Sequence, residues 1–391
     1  MLKNKKILLC VCGSVSFYKA YEILSALRKL GADVYVMLSD GALKFANIVS
    51  FEALCNHKVL CSHSENWVDG LNHIQYAKMD LVLIAPASAN TINSLANGIG
   101  GSVFMDTLIA ASSVKTIIAP AANNAMLEHF STKKSLEILK ENGVKIVEPV
   151  CKILACGDYG KGALADIEDI IYAVKRAIFE DEFFKDKKVV ITGGATYENI
   201  DDVRAITNFS SGKMSKALSD AFYMLGGNVH FISSVGFKVP YKFTKFKNSF
   251  ELKTILDKEN LQDKDILVMA AAISDYVPKQ KFSGKVKKDV FGDKFSLELV
   301  KNDDILSNLK VSCKKIGFKM EVDEKTAKQN AKDMLKNKHL DAVCLNVLND
   351  NVKFGSDSTQ IEFITPTNST LLNYDNKENI ALKIANLVKS L

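Results

Sequence analysis

The sequence predicts an α/β protein made of two doubly wound domains, each with a mainly parallel sheet. Short apolar runs rich in β-branched residues alternate with amphipathic helical patterns along most of the chain. The chain has 391 residues, which exceeds what a single hydrophobic core usually supports. A highly charged stretch at residues 180–188 separates two rounds of this alternation. We therefore expect one domain over residues 1–186 and a second over residues 187–391.

In the first domain, four short apolar runs bounded by turn residues predict parallel strands at residues 7–11, 34–38, 81–85 and 116–119. Amphipathic spacing between and after them predicts helices at residues 18–30, 91–96, 103–111, 135–142 and 167–179. Neighbouring parallel strands must be joined by crossover connections about as long as these helical segments. Helices should therefore cover both faces of the sheet.

The second domain repeats the pattern. We predict parallel strands at residues 189–192, 228–233, 266–271 and 342–346. Helices are predicted at residues 211–225, 303–309, 323–336 and 376–391. Two further β-rich runs, 295–300 and 359–364, are expected to pair with each other at a sheet edge. Residues 276–288 contain proline, glycine and several lysines, and we expect them to form a mobile surface loop.

Composition narrows the class of protein. With 47% hydrophobic and 25% charged residues, the chain resembles soluble globular proteins. The net charge of +6 is consistent either with a solvated, lysine-rich surface or with attraction to phosphorylated small molecules. No nucleic-acid-binding motif accompanies it. Eight cysteines form no CxxC pair, and we find neither a secretory start nor an apolar run of membrane-spanning length. A cytoplasmic protein with reduced thiols and no membrane partner is expected.

The most informative stretch is residues 191–214, which read ITGGATYENIDDVRAITNFSSGKM. It follows a predicted buried strand, turns at Gly193 and Gly194, and ends in a small-residue segment with Lys213 just before a helix. Backbone amides at a helix start, small residues and a nearby cation together suit an anionic ligand such as a phosphate.

This stretch resembles the corresponding loop of phosphopantothenate–cysteine ligases, and so do residues 269–276, 284–288, 302–306 and 317–319. The resemblance implies that CTP activates a carboxylate as an acyl-cytidylate and that the amine of cysteine displaces CMP, with Mg²⁺ from unassigned ligands. It assigns Asn208 to stabilising the acyl-cytidylate and Lys285 to closing over the reacting phosphate. It implies nucleotide binding by Met269, Ala270, Ala271, Asp275, Lys285, Asp303, Asp304, Ile305, Leu306, Phe318 and Lys338.

In the first domain, small and hydroxyl residues follow three predicted strands. Gly13 and Ser14 follow the first strand and Ser39 follows the second, while Ser88 follows the third. Such residues can bind a phosphate through backbone amides and hydroxyls, or they can simply be turn and N-cap residues. A GxGxxG motif is absent here, which argues against an NAD site.

Four segments of this domain, residues 72–74, 85–91, 120–126 and 154–162, resemble flavin-dependent cysteine decarboxylases. The resemblance implies that His73 deprotonates or orients the substrate, that Asn123 binds its carboxylate and that Cys156 supplies a proton. The glycines of residues 154–162 are possible hinges, which suits a lid that excludes water. FMN contacts are expected from Gly13, Ser14, Ser39, Phe45, Ala87, Ser88 and Asn90.

Both resemblances together match one bifunctional family, phosphopantothenoylcysteine decarboxylase/phosphopantothenate–cysteine ligase of coenzyme A biosynthesis. This family implies a flavodoxin- or Rossmann-like flavoprotein domain followed by a Rossmann-like ligase domain. It also implies a homo-oligomer, with trimers or dodecamers built by the first half and dimers by the second. The chain departs from the family pattern at Ala122, at Ala163, where the family often has arginine, and at Met334, where it has lysine.

Two alternatives remain at this point. A Cys–His hydrolase could use Cys156 and His73, but it leaves the flavin-like segments and the second half unexplained. A flavin-binding interaction module without ligase activity is the other. A flavin spectrum of the purified protein excludes the first alternative, and CTP-dependent release of pyrophosphate excludes the second.

Overall fold

The computed structural model describes residues 1–154, 157–287, 294–348 and 353–391 and divides the chain into two units, Met1–Phe179 and Glu180–Leu391. This division falls ahead of the boundary expected after residue 186. Phe184 is the reason, because its side chain is fully buried in the core of the second unit. The charged stretch is therefore part of that unit. Cys156 lies outside the described residues.

The first unit has seven strands among its described residues: β1 (Lys6–Val11), β2 (Asp33–Leu38), β3 (Leu81–Ala87), β4 (Thr116–Pro120), β5 (Lys145–Ile146), β6 (Val150–Ile153) and β7 (Tyr159–Ala163). Five of them form a parallel sheet in the order β2-β1-β3-β4-β5. The remaining two, β6 and β7, form a separate antiparallel hairpin.

The helices of the first unit are α1 (Lys19–Lys29), α2 (Asp40–Leu43), α3 (Ile48–Cys55), α4 (His73–Tyr76), α5 (Ala89–Ala96), α6 (Val103–Ala110), α7 (Asn124–Glu128), α8 (Phe130–Glu141) and α9 (Ile167–Phe179), with a 3₁₀ turn at Val15–Tyr18. Alternate residues of β1 enter two separate cores, since Leu9 packs on one face of the sheet and Leu8 on the other. Burial on both faces explains why these strands read as continuous apolar runs.

The second unit contains strands β8 (Lys188–Gly193), β9 (Tyr197–Asn199), β10 (Ala205–Thr207), β11 (Asn228–Ser233), β12 (Lys242–Lys245), β13 (Ile266–Met269), β14 (Tyr276–Pro278), β15 (Leu299–Lys301), β16 (Lys314–Glu321), β17 (Ala342–Val347), β18 (Ser358–Ile364) and β19 (Ser369–Asn376). Its main sheet has the order β12-β11-β8-β13-β16-β17-β18-β19. The pairings are parallel as far as β17 and antiparallel beyond it.

Helices of the second unit described by the structure are α10 (Lys213–Met224), α11 (Ser249–Leu256), α12 (Ile305–Asn308), α13 (Glu324–Asn337) and α14 (Lys377–Val388). Val189 and Val190, neighbours on β8, pack into different cores on the two faces of the sheet. Both units are thus doubly wound α/β structures, and the predicted fold class is confirmed. No helix in the described parts of the chain is long and apolar enough to cross a membrane.

One predicted pairing is wrong. β15, from the run at 295–300, pairs with β14, while β18, from the run at 359–364, lies between β17 and β19. A tight turn closed by the amide of Thr365 and the carbonyl of Asn368 returns the chain from β18 to β19. Neighbours in sequence joined by so short a turn pair with each other at little entropic cost. The sequence analysis also missed β16, whose lysines interrupt the apolar run.

Strand order places one switch point in each sheet. In the first unit the connections leave β1 toward β2 on one side and run through β3 on the other. In the second unit, β8 and β13 are neighbours from which the order proceeds in opposite directions. Loops diverge at such points and leave a crevice beyond the carboxyl ends of the strands, where ligands bind in open α/β sheets.

A buried ionisable cluster links three strands and a loop of the second unit. The Nδ1 atom of His230 lies 2.8 Å from Glu259, whose other oxygen lies 2.5 Å from Nζ of Lys188. Burial opposes the charged form of Glu259, but the Lys188 hydrogen bond and nearby positive charges outweigh it and lower the pKa. Burial lowers the pKa of His230. The Nε2 atom of His230 lies 2.8 Å from the hydroxyl of Thr244.

We expect acidification to destabilise the second unit. Unfolding releases His230 to its ordinary pKa of about 6.5 and Glu259 to about 4.3. Both groups bind protons more readily in the unfolded chain, so the free energy of unfolding falls as the pH drops below about 6.5 and falls further through the carboxylate range. The Glu259→Gln variant should unfold about 5 °C lower than the wild type at pH 7.5. Between pH 5 and 3.5 this difference should shrink, and a constant difference across melting curves from pH 3.5 to 8 would contradict the assignment.

Candidate functional site

Three serines cap helical turns at the carboxyl ends of adjacent strands in the first unit. The side-chain oxygen of Ser14 accepts the amide of Ser16 at 3.3 Å, beyond β1. In the same way Ser39 caps α2 beyond β2, and Ser88 caps α5 beyond β3. An oxygen that accepts a capping bond still carries its own O–H, which can be donated to a ligand. The N-cap role and the phosphate role are therefore compatible.

Gly13 allows the first two of these loops to approach each other. A Cβ atom at this position would lie 2.7 Å from the carbonyl carbon of Gly41. Hydroxyls and backbone amides at neighbouring strand ends form a donor set that fits a phosphate-bearing cofactor. Of the other residues assigned to FMN, Ala87 is buried and Asn90 is exposed, while the half-exposed ring of Phe45 lies 5.6 Å from that of Phe17.

His73 begins α4 and is held by two neighbours that the sequence analysis did not identify. Its Nδ1 atom lies 2.9 Å from Oε1 of Glu65, and both side chains are partly exposed. The ring of Trp67, the only tryptophan of the chain, meets the imidazole edge-on at 5.2 Å. A carboxylate on one ring nitrogen fixes the orientation of a histidine and leaves the other nitrogen for chemistry. The chain between Glu65 and His73 is irregular, so no helical or strand periodicity in the sequence indicated that Glu65 and Trp67 lie beside His73.

Asn123 N-caps α7, accepting the amide of Ala125 at 2.8 Å. The β6–β7 hairpin packs beside it, because the carbonyl of Gly162 accepts the amide of Ala122. A Cβ atom on Gly162 would lie 2.2 Å from the carbonyl oxygen of Ala122, and one on Gly160 would lie 2.9 Å from Asn124. These two glycines were expected to be hinges of a lid. Their place within β7 shows instead that they permit close packing.

At the switch point of the second unit, the loop after β8 runs beside the loop after β13. The amide of Ala272 donates to the carbonyl of Gly194 at 2.8 Å, and the amide of Thr196 donates to the carbonyl of Ala272 at 3.1 Å. Beyond these loops lies a cavity of about 640 Å³. Its walls include these residues from the predicted nucleotide set: Met269, Ala270, Ala271, Asp275, Asp303, Asp304, Ile305, Leu306, Phe318 and Lys338.

Two predicted ligase residues lie outside the cavity lining. Asn208 is exposed, and its side-chain amide donates to the carbonyl of Ile273, a residue of the cavity wall, at 3.2 Å. Lys285 is also exposed, on the segment that follows β14. The structure thus gathers the predicted nucleotide residues except Lys285, which it holds on a neighbouring loop.

The cavity lining contains an ion pair. Nζ of Lys338 lies 2.9 Å from Asp304, which also caps α12 through the amide of Ser307. Burial would raise the pKa of Asp304, but the hydrogen bond from Lys338 and the cap outweigh it and lower the pKa. Met334, at the position of the family's other lysine, lines the cavity without adding charge.

The lining also includes two lysines outside the predicted nucleotide set, Lys213, which the sequence analysis named as a nearby cation, and Lys377, which it did not identify. Lys213 donates to the carbonyl of Gly355 and to Asp357, at 2.9 and 2.6 Å. Lys377 lines the cavity as well, and burial, followed by the charge of Lys213, lowers its pKa.

Two oxygen atoms in this wall have no hydrogen-bond partner among the described residues, Oδ1 of Asn346 and Oγ1 of Thr359. Buried polar atoms are seldom left unpaired, so these two fit a ligand that carries hydroxyl or amide groups. Asn346 lies at the carboxyl end of β17, where the strand-end rule could have found it. Within the described ranges, no group of three or more His, Cys, Asp or Glu residues forms a preformed metal site.

Comparison with known proteins matches each unit to a protein family. Residues 1–179 match the model of the Flavoprotein family, and residues 184–391 match that of the DNA/pantothenate metabolism flavoprotein C-terminal domain. The coenzyme A biosynthesis bifunctional protein CoaBC of Bacillus subtilis is 35% identical over 374 residues, which cover 92% of this chain and 90% of that protein. The chain belongs to the CoaBC family of coenzyme A biosynthesis bifunctional proteins.

Other members and structures are similar to parts or all of the chain. The CoaBC protein of Vibrio vulnificus is 30% identical over 400 residues, covering 100% of this chain and 98% of that protein. A solved FMN-dependent cysteine decarboxylase, SpaF, is 26% identical, covers 44% of this chain and 99% of its own, and has a TM-score of 0.38. The family predicted from the sequence motifs is confirmed. As a CoaBC-family member, the chain is a bifunctional enzyme of coenzyme A biosynthesis, a decarboxylase joined to a ligase. The Flavoprotein match supports FMN binding by the first unit.

Proposed function

We propose that the second unit joins 4′-phosphopantothenate to L-cysteine at the expense of CTP and that the first unit decarboxylates the product to 4′-phosphopantetheine with FMN. The observation that carries this proposal is the cavity at the β8–β13 switch point, whose lining contains the nucleotide residues implied by the sequence motifs except Lys285. A cavity of about 640 Å³ falls within the range that binding sites for small ligands occupy. We further propose a cytoplasmic homo-oligomer, trimer-based or dodecameric through the first unit and dimeric through the second.

In the ligase reaction, the cavity walls bind and orient the nucleotide and the acid. Three lysines of the lining, Lys213, Lys338 and Lys377, offset phosphate charge. The unpaired oxygens of Asn346 and Thr359 accept hydrogen bonds from the N–H and O–H groups that both substrates carry. We propose that Mg²⁺ arrives with the nucleotide, whose phosphates supply most of its ligands.

Asn208 and Lys285 complete the site from outside the cavity walls. The amide of Asn208, anchored to the carbonyl of Ile273, keeps its oxygen beside the wall where the acyl-cytidylate forms. Lys285 has no ion-pair partner among the described residues, and its exposed ammonium is available to the reacting phosphate. Both assignments are proposals that follow from the family motifs and the placement of these loops.

In the first unit, His73 orients or deprotonates the substrate while Glu65 holds its ring. The strand-end serines Ser14, Ser39 and Ser88 supply hydroxyl donors for the FMN phosphate and ring. The flavin, when bound, would supply the electron sink that loss of CO₂ requires and would return the hydride to the product afterwards. The family motif assigns carboxylate binding to Asn123 and proton donation to Cys156, which lies outside the described residues.

The Glu65→Gln variant is expected to lower the turnover number for decarboxylation by about tenfold, because the amide no longer fixes the imidazole as a carboxylate does. Initial rates of CO₂ release from 4′-phosphopantothenoylcysteine measure the effect. Glu52→Gln, which removes the partner of Lys58 on the same unit, is the matched control. Equal rates in the wild type and Glu65→Gln would show that Glu65 does not support His73.

Measuring both half-reactions on the intact purified chain tests the proposed function. We expect a flavin absorbance spectrum, CO₂ release from 4′-phosphopantothenoylcysteine, and pyrophosphate release from CTP that requires 4′-phosphopantothenate. A bound flavin without either turnover would favour the alternative of a flavin-binding interaction module. Replacing CTP by ATP, GTP or UTP in the same assay reports the nucleotide preference.

A further inference from the structure

The hairpin β9–β10 contacts the loop that carries Lys285. The tip of this hairpin, residues 200–204, is a segment that we term the clamp. It lies about eighty positions earlier in the sequence than the loop it contacts. The amide of Phe282 donates to the carbonyl of Ile200 at 2.9 Å, which starts the contact. Hydrogen bonds between segments this far apart in sequence must offset the conformational entropy that the loop loses when it is held in place.

Asp202 forms hydrogen bonds with Gly284, the residue before Lys285. One of its carboxylate oxygens accepts the amide of Gly284 at 2.8 Å, and its own amide donates to the carbonyl of Gly284 at 3.1 Å. The other carboxylate oxygen lies 2.9 Å from Nζ of Lys281. These bonds, with the one from Lys281 strongest, lower the pKa of Asp202, so the carboxylate stays charged at neutral pH.

Asp201 and Arg204 form hydrogen bonds with Val286, the residue after Lys285. Asp201 is buried and accepts the amide of Val286 at 3.1 Å, while the guanidinium of Arg204 donates to the carbonyl of Val286 at 2.8 Å. The same guanidinium bonds Asp201 through Nε at 3.0 Å and holds the pKa of that carboxyl well below its usual range. Both backbone polar groups on each side of Lys285 are therefore bonded to the clamp, and the lysine side chain is left exposed.

This arrangement fixes the backbone and leaves the ammonium free, as expected of a device that positions one charge. A lysine carries about 2 kcal/mol of side-chain rotamer entropy, and a mobile backbone would add to what must be lost before it reaches a phosphate. A charged group preplaced near the reacting atoms contributes mainly to rate, whereas contacts equal in ground and transition states contribute to binding.

We propose that the clamp, through Asp202 above all, is a positioning device for Lys285 and sets the rate of acyl-cytidylate formation without contributing to substrate binding. The proposal rests on the function proposed above for the ligase cavity and for Lys285. It assigns the acidic pair of the IDDVR segment to the loop, not to the nucleotide. Asp202 is accordingly a positioning residue.

The test compares Asp202→Ala, Asp202→Asn and Lys285→Gln in the full-length, flavin-loaded protein. Pyrophosphate release from CTP and 4′-phosphopantothenate gives kcat and KM. We expect Asp202→Ala to lower kcat by about 10- to 100-fold with KM within about twofold of the wild type. Asp202→Asn keeps an acceptor for the amide of Gly284 and should lose no more than about threefold. Asp375→Asn, which removes a similar partner from Lys383 on the surface, is the control with unchanged kinetics.

A double variant decides whether Asp202 acts through Lys285. In the Lys285→Gln background, Asp202→Ala should lower kcat by less than about twofold further, because the positioned group is already gone. Hydrogen exchange of the Gly284 and Val286 amides should be faster in Asp202→Ala than in the wild type, with an unchanged melting temperature. Equal losses in both backgrounds, or an unchanged kcat in Asp202→Ala, would overturn the clamp. Full activity of Lys285→Gln alone would instead overturn the role proposed for the lysine itself.

Discussion

Lys285→Gln is expected to lower the rate of pyrophosphate release by about 10²- to 10³-fold, the loss typical of removing one preplaced donor from a developing charge. The exposed lysine has no ion-pair partner among the described residues, so its removal leaves no buried charge unpaired. The effect should therefore appear in kcat of the ligase step and not in stability. Flavin absorbance and CO₂ release from supplied 4′-phosphopantothenoylcysteine should stay at wild-type levels, because the change lies in the other unit.

The matched control is Lys279→Gln, a lysine of the same region that pairs at 2.7 Å with Glu298, each residue lying directly beside the paired strands β14 and β15. It removes the same charge without touching the clamp, and its ligase rate should remain within about twofold of the wild type. Equal losses in both variants would mean that general positive charge near the cavity matters and that Lys285 has no specific role.

Gly193→Ala is expected to destabilise the second unit by about 3 kcal/mol and to abolish ligase activity. A Cβ atom at this position would lie 2.0 Å from the hydroxyl oxygen and 2.6 Å from Cβ of Ser215, and 3.0 Å from the ring of Phe231. These neighbours are buried at the start of α10 and on β11, the strand beside β8, so none can move aside cheaply. The crevice beyond β8 would have to widen, which separates the walls of the nucleotide cavity.

Thermal unfolding and pyrophosphate release measure the two effects. Gly193→Ala combined with Ser215→Gly removes the closest clash and should restore part of the melting temperature, although glycine in a helix itself costs about 1 kcal/mol. Gly236→Ala, where a new Cβ has open space, is the control and should leave both measurements near wild type. A fully stable Gly193→Ala would show that β8 and α10 are less tightly packed than their distances indicate.

The sequence determined the fold class because parallel strands buried on both faces must be almost wholly apolar. β1, β3, β8 and β11 appear within one or two residues of their predicted positions for this reason. Local sequence failed for β16 and β19, whose lysines, asparagines and serines are accommodated by neighbours that no short window contains. The pairing of β18 with β19 was missed in the same way, since register depends on a turn and not on composition alone.

For the candidate sites too, some features could be predicted from the sequence and others were decided only by the tertiary structure. Motif residues at strand ends, such as Ser88 and Asp275, could be placed from the sequence because strand ends of a parallel sheet meet at one edge. Only the tertiary structure joined Glu65 to His73 and Asn346 to Thr359 in one wall. It also decided that Asp201 and Asp202 hold the Lys285 loop, because hydrogen bonds between residues more than eighty positions apart depend on how the chain folds back, which no local pattern encodes.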